Sequence, residues 1–205
     1  MQPYALPENH KSDEPAGLGF LCVRLEEPFD RIVANNPELR IEQNAAGEIV
    51  FMSPTGGESG RRNAKLCFQL ELWASSYDGF SFDSSTLFRL ANGAKRSPDA
   101  SWIASERWKQ LSKDDREGYP PICPDFVVEL RSKTDRILDL QRKMEEYLDN
   151  GARLGWLIDP LNRTVYVYKP GVPSVVLQDV QNVSDDEVLP GFVLNLTDIC
   201  SNSIL

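Results

Sequence analysis

Two proline–aspartate pairs, Pro98-Asp99 and Pro124-Asp125, and a glutamate set in an apolar run, Glu129 of PDFVVEL (124–130), are the side chains here best suited to chemistry. Carboxylates brought together bind a hard divalent cation through oxygen. Such a cation activates water and offsets negative charge developing on a reacting group. Along a strand alternate side chains share a face, so Asp125, Val127, Glu129 and Arg131 lie on one side. Phe126, Val128 and Leu130 lie on the other and suit a core. Asp125 and Glu129 then stand ~13 Å apart, too far to grip one ion. Glu129 needs a carboxylate from a neighbouring strand, and Asp99 at the head of PDASWIA (98–104) is the natural candidate. An ionised carboxylate is costly to bury unless it is paired or holds a metal. An arginine at 131, 96 or 89 would also neutralise Glu129. The residue pattern alone therefore leaves a structural ion pair open beside a metal site.

The elements that must carry these groups are legible from periodicity. LRIEQNAAGEIVFMSP (39–54) reads as two strands around a turn near Ala45–Gly47, after a short helix at about 26–35. Leu66, Cys67, Leu70, Trp73, Ala74 and Tyr77 follow helical spacing, which predicts a helix from Gly57–Ser59 to just before Gly79. FSFDSSTLFRL (80–90) alternates as one strand; ANGAKRS then turns into strand 98–104. A short helix and loop over 105–118, a buried strand at 124–130 and a helix over 135–150 ending at Gly151 come next. GWLIDP, TVYVYKP and PSVVL add three strands. Strands interleaved with helices predict an α/β fold, a mixed sheet flanked by helices with additional β-hairpins. The polar, Pro-rich leader predicts a loose arm over residues 1–20 ahead of a single domain over 21–205.

Several function classes are excluded or disfavoured. The sole histidine, His10, sits in the leader, which argues against a Ser-His-Asp or Cys-His site. Cysteines at 22, 67, 123 and 200 form no C-x-x-C pair and read as buried thiols of a reducing compartment. No apolar stretch is long enough to span a membrane and no secretory signal opens the chain, so a cytoplasmic location is expected. The net charge of −9 argues against generic coating of nucleic acid. More than half of that imbalance sits after Lys169, in Asp179, Asp185, Asp186, Glu187 and Asp198.

P-D at 98–99 followed by V-V-E-L at 127–130 resembles the PD-(D/E)xK nuclease signature. SPTGGESGRRN (53–63), RSPDASW (96–102), ICPDFVVELRS (122–132), QRKMEEY (141–147), GARLGWLIDP (151–160) and LPGF (189–192) are similar, in order, to blocks of that superfamily's Putative restriction endonuclease domain family. The resemblance spans roughly residues 24–200 and implies a restriction-endonuclease-like core. It also implies Mg²⁺-dependent (or Mn²⁺-dependent) hydrolysis of DNA phosphodiesters, with Asp99 and Glu129 as metal ligands. The pattern's lysine is missing, because position 131 is arginine, which stays protonated and cannot serve as a base. Arg131 could clamp a phosphate or form an ion pair. Lys143 borders the stripe Ile137, Leu140, Met144, Tyr147 and Leu148, and the superfamily lets its lysine move to this helix; the alternative is a helical pair with Asp139. Glu58, where the superfamily often has a glutamate, could assist or serve the helix dipole. Nucleases of this fold often pair, so a homodimer is an open expectation. The competing reading is a catalytically inactive nucleic-acid-binding or regulatory module on the same fold.

Overall fold

The computed structural model describes the backbone of residues 21–23 and the whole of residues 28–200. The expectations for the arm over 1–20, for His10 and for the Cys22 side chain lie outside the described residues. The elements in chain order are β1 (Leu21–Val23), α1 (Phe29–Asn35), β2 (Ile41–Gln43), β3 (Ile49–Phe51), α2 (Gly57–Ala74), β4 (Gly79–Asp83), β5 (Phe88–Arg89) and β6 (Lys95–Arg96). Then come β7 (Ala100–Ala104), α3 (Ser105–Lys109), α4 (Lys113–Glu117), β8 (Phe126–Leu130), α5 (Ile137–Asp149), β9 (Leu154–Asp159), β10 (Thr164–Tyr168), β11 (Val175–Gln178), β12 (Asn182–Ser184), β13 (Val193–Asn195) and α6 (Thr197–Cys200).

The central sheet has six strands in the order β11-β10-β9-β8-β7-β4. β8 and β9 run parallel, joined through α5; every other neighbouring pair in this sheet is antiparallel. The mixed sheet flanked by helices is the expected fold. All five residues of β8 are buried, so both its faces are covered, not only the face of Phe126, Val128 and Leu130. Those three pack with Trp156 and Ile158 against Leu66, Leu70 and Ala74 of α2, which recur every fourth residue. On the opposite face Val127 and Leu157 meet Leu140, Met144 and Tyr147 of α5. α5 packs on β9: a Cβ built on Gly155 would stand 2.4 Å from Met144 Cε, the flexible end of that side chain, which would have to move aside. α5 ends where Gly151 adopts φ +103°, a backbone state that other residues resist.

A second sheet, β1-β3-β2-β6-β5, is built from hairpins and covered by α1 through Phe29, Ile32, Ile41 and Ile49. Two expectations need correction here. Residues 80–90 do not form one strand: Asp83 accepts the Ser85 N–H at 2.9 Å and its carbonyl the Thr86 N–H at 3.2 Å. That turn delivers β4 to the central sheet and β5 to the second one. ANGAKRS is also more than a turn, since Lys95 and Arg96 pair with β5 and Lys95 with Gln43 of β2. Both corrections matter for the site, because they place Arg96 beside the first hairpin. Among the described residues no helix is long and apolar enough to cross a membrane.

Candidate functional site

The site forms where β7 and β8 run antiparallel at the centre of the sheet. Ala100 pairs with Val128, so one step further in the same register sets Asp99 opposite Glu129. Asp99 Oδ2 accepts a 2.7 Å hydrogen bond from the Leu130 N–H. Glu129 Oε1 accepts one of 3.0 Å from the Tyr147 hydroxyl and lies 2.8 Å from Lys143 Nζ. Asp99 Oδ1 and Glu129 Oε2 take no hydrogen bond among the described residues and remain reachable by solvent. Each carboxylate thus has one oxygen held by the protein and one free.

α5 supplies Lys143 and Tyr147, one helical turn apart and both turned toward the sheet. The ammonium of Lys143 sits between two glutamates, Glu129 and Glu42, the latter at 2.9 Å. It does not take the helical pairing with Asp139, which instead meets Arg136 and Arg142. Glu42, on β2, is fully engaged. Its Oε1 accepts from Lys143 and from the Ser97 N–H at 2.9 Å, and its Oε2 from Arg96 at 3.1 Å. Arg96 Nε in turn donates to Glu146 Oε2 on α5 at 2.6 Å.

Four carboxylates, Glu42, Asp99, Glu129 and Glu146, therefore face two cations, Arg96 and Lys143, which leaves two negative charges in excess. The proton affinities reflect this. Burial, with Asp99 and Glu42 nearby, pushes the Glu129 carboxyl up to about 7 despite Lys143. Burial raises Asp99 too, against the pull of the Leu130 N–H and Lys143. Burial also opposes the charge on Glu42, yet Lys143 and Arg96 together hold its carboxyl below the ordinary value. Lys143 is raised because Glu129 and Glu42 outweigh its desolvation.

The remaining candidates fall elsewhere. Glu58 is half-exposed on the first turn of α2, ion-paired with Arg61 at 3.2 Å, and takes no part in this cluster. Its helix-end position favours a carboxylate without any site. Arg131 does not stand open for a phosphate: Nη1 is held 2.7 Å from the buried Asp159, across the parallel β8–β9 pair, and Nε donates to the Asp135 carbonyl. Asp159 also accepts the Leu161 and Asn162 N–H groups, so it caps the turn after β9. Asp125 is buried at the far end of β8, where it accepts the Ala104 N–H and pairs with Arg107. Lys133 is exposed, and Trp102, Trp108 and Trp156 pack in the core. Glu42 and Glu146 were the groups that sequence reasoning missed. Glu42 alternates with Ile41 as a hairpin's solvent face would, and Glu146 reads as an ordinary helix surface residue.

Two free carboxylate oxygens beside a net charge of minus two suit one divalent cation completed by water. Among the described residues no group of three or more His, Cys, Asp or Glu side chains is arranged to hold a metal. Comparison with known proteins bears on the same core. A crystal structure of a putative nuclease belonging to DUF820, from Anabaena variabilis, superposes with a TM-score of 0.68 at 20% identity, covering 80% of this chain and 90% of that one. At that identity the likeness is one of fold. No match is found among curated proteins. The sequence profile of the Uma2 family, described as "Putative restriction endonuclease", matches residues 26–197, most of the chain and all of the Asp99–Glu129–Lys143 cluster. This chain belongs to the Uma2 family of putative restriction endonucleases.

Proposed function

We propose that the protein is a nuclease that hydrolyses DNA phosphodiester bonds with Mg²⁺, or with Mn²⁺ in its place. The observation that carries this reading is the position of Lys143 Nζ, 2.8 Å from Glu129 beside two free carboxylate oxygens. In this reading the lysine absent from position 131 is supplied by α5. Asp99 Oδ1 and Glu129 Oε2 would hold the cation, which supplies charge compensation at the scissile phosphate and a lowered pKa for water.

The chain's own groups divide the rest of the work. Leu130 and Tyr147 fix the second oxygen of each ligand, so Asp99 and Glu129 keep their orientation before a substrate arrives. Lys143 stays protonated, since its proton affinity is raised. It therefore orients the attacking water and offsets charge on the phosphate, leaving proton removal to solvent or to the substrate. Arg131 is committed to Asp159 and is assigned no step. Glu58 is half-exposed and paired with Arg61, and it too is assigned none.

The nuclease reading needs an ammonium at Glu129, and an inactive module on the same fold would use the same contact to neutralise the buried carboxylate, so cutting is what separates the two. The test is cleavage of single- and double-stranded DNA by the full chain with Mg²⁺ or Mn²⁺, with Asp99→Ala and Glu129→Ala beside it. Wild type should cut only with metal, and each variant should lose at least about 100-fold in rate. Cutting that persists in both variants overturns the site. A wild type that binds metal and DNA but never cuts favours the inactive module.

A further inference from the structure

The nuclease reading leaves Glu42 without a role, although it is among the most strongly bound side chains in the molecule. It is 2% exposed, comes from the second sheet, and reaches a helix residue 101 positions later. Three donors converge on it: the Ser97 N–H, Arg96 and Lys143. A carboxylate so engaged has little capacity left for a cation, unlike Asp99 and Glu129.

Its effect falls on Lys143. A lysine side chain carries about 2 kcal/mol of rotamer entropy, so one acceptor leaves the ammonium free to swing. Glu129 alone would be a poor anchor, because it is also the carboxylate offered to the metal. Glu42 and Glu129 take two of the three ammonium protons and leave one for the reaction. Arg96 braces the arrangement, donating both to Glu42 and to Glu146, which lies three residues after Lys143 on α5.

We propose that Glu42 is a positioning residue that holds the Lys143 ammonium at the edge of the Asp99–Glu129 site, making the β2–β3 hairpin part of the reaction centre. The proposal rests on the nuclease reading for its purpose, but its geometry can be tested without any cutting.

The probe is hydrogen exchange of the Lys143 ammonium, followed by ¹⁵N NMR on the full chain with and without Mg²⁺, alongside Mg²⁺ calorimetry. Glu42→Asp keeps the charge but draws the carboxylate back by one methylene from Lys143 and Arg96 alike; Glu42→Gln keeps the shape and removes the charge. Both should exchange at least about tenfold faster than wild type, while Mg²⁺ affinity falls less in Glu42→Asp, which keeps the charge, than in Glu42→Gln, which removes it, and by no more than about 100-fold in either. Where cutting is measurable, kcat should fall about 10- to 100-fold with KM for DNA nearly unchanged. Exchange as slow as in wild type overturns the proposal. So does a loss of Mg²⁺ affinity beyond about 100-fold in the charge-keeping Glu42→Asp, more than a positioning residue costs, which would make Glu42 a ligand. Should neither variant fold, the wild-type resonance decides: an ammonium exchanging as fast as that of the exposed Lys133 sinks the proposal. A wild type that never cuts sinks the nuclease reading alone.

Discussion

Glu129 is where the residue scale is most informative. Its carboxyl is raised from an ordinary 4.5 to about 7, so the folded chain takes up this proton more readily than the unfolded chain does. The folded state therefore gains stability as pH falls from above 7 toward 4.5, and at pH 8 the ionised group is a liability. Glu129→Gln should raise the metal-free Tm at pH 8 by a few degrees, about 1–2 kcal/mol once weakened contacts with Tyr147 and Lys143 are set against the relief. The difference should vanish toward pH 5, and thermal unfolding at the two pH values checks it; a lower Tm for the variant at pH 8 counts against the charge balance described. That Asp99 and Glu129 face each other was legible in the sequence because strand alternation and reach left few other pairings. Lys143 was legible because it borders an apolar stripe. Arg131 and Glu42 were not. Arg131 is claimed by Asp159, 28 residues away, and Glu42 by Lys143, 101 residues away, and neither distance leaves a trace in local spacing.

At the scale of elements the site depends on how closely α5 lies on β9. Gly155 leaves room there for the end of Met144, the neighbour of Lys143, which an added side chain would push aside. Gly155→Ala should cost about 1 kcal/mol of stability, the low end for overpacking, as the flexible end of Met144 swings aside. It should also lower cleavage more than it lowers Mg²⁺ affinity, since α5 carries Lys143 while the ligands sit on the sheet. Equal losses in both would mean that the sheet has moved instead. Strands β8, β9 and β10 and helices α2 and α5 were readable because each is long enough to show its period. β12, β13 and α6 were not: they have three, three and four residues, and Val183, Leu194 and Ile199 join the core only through tertiary packing. The split of 80–90 between two sheets was hidden for a related reason, as a turn in which the Asp83 carboxylate accepts the Ser85 N–H and hydroxyl breaks an otherwise continuous alternation.

For the whole molecule, the net charge of −9 has to be reconciled with a polyanionic substrate. Several basic residues are already paired: Arg61 with Glu58, Lys65 with Asp198, Arg89 with Asp115 and Arg131 with Asp159. DNA affinity should accordingly be weak without a divalent cation and strengthen when one is added, which anisotropy titrations of an Asp99→Asn and a wild-type chain would separate. Metal binding should also stabilise the fold, by about 2.7 kcal/mol at a concentration 100 times Kd. The rise in Tm should disappear in Asp99→Asn, and a rise that survives would locate the cation elsewhere.

The bond from the Leu130 N–H to Asp99 Oδ2 has a practical consequence. A proton shared at 2.7 Å with a carboxylate senses how much charge that carboxylate carries. Were a cation to settle on the opposite oxygen, as proposed, electron density would be drawn from the acceptor and the amide resonance would move. Leu130 is therefore a native indicator dye for this protein: its single cross-peak reports how full the site is, with no substrate, no turnover and no engineered label.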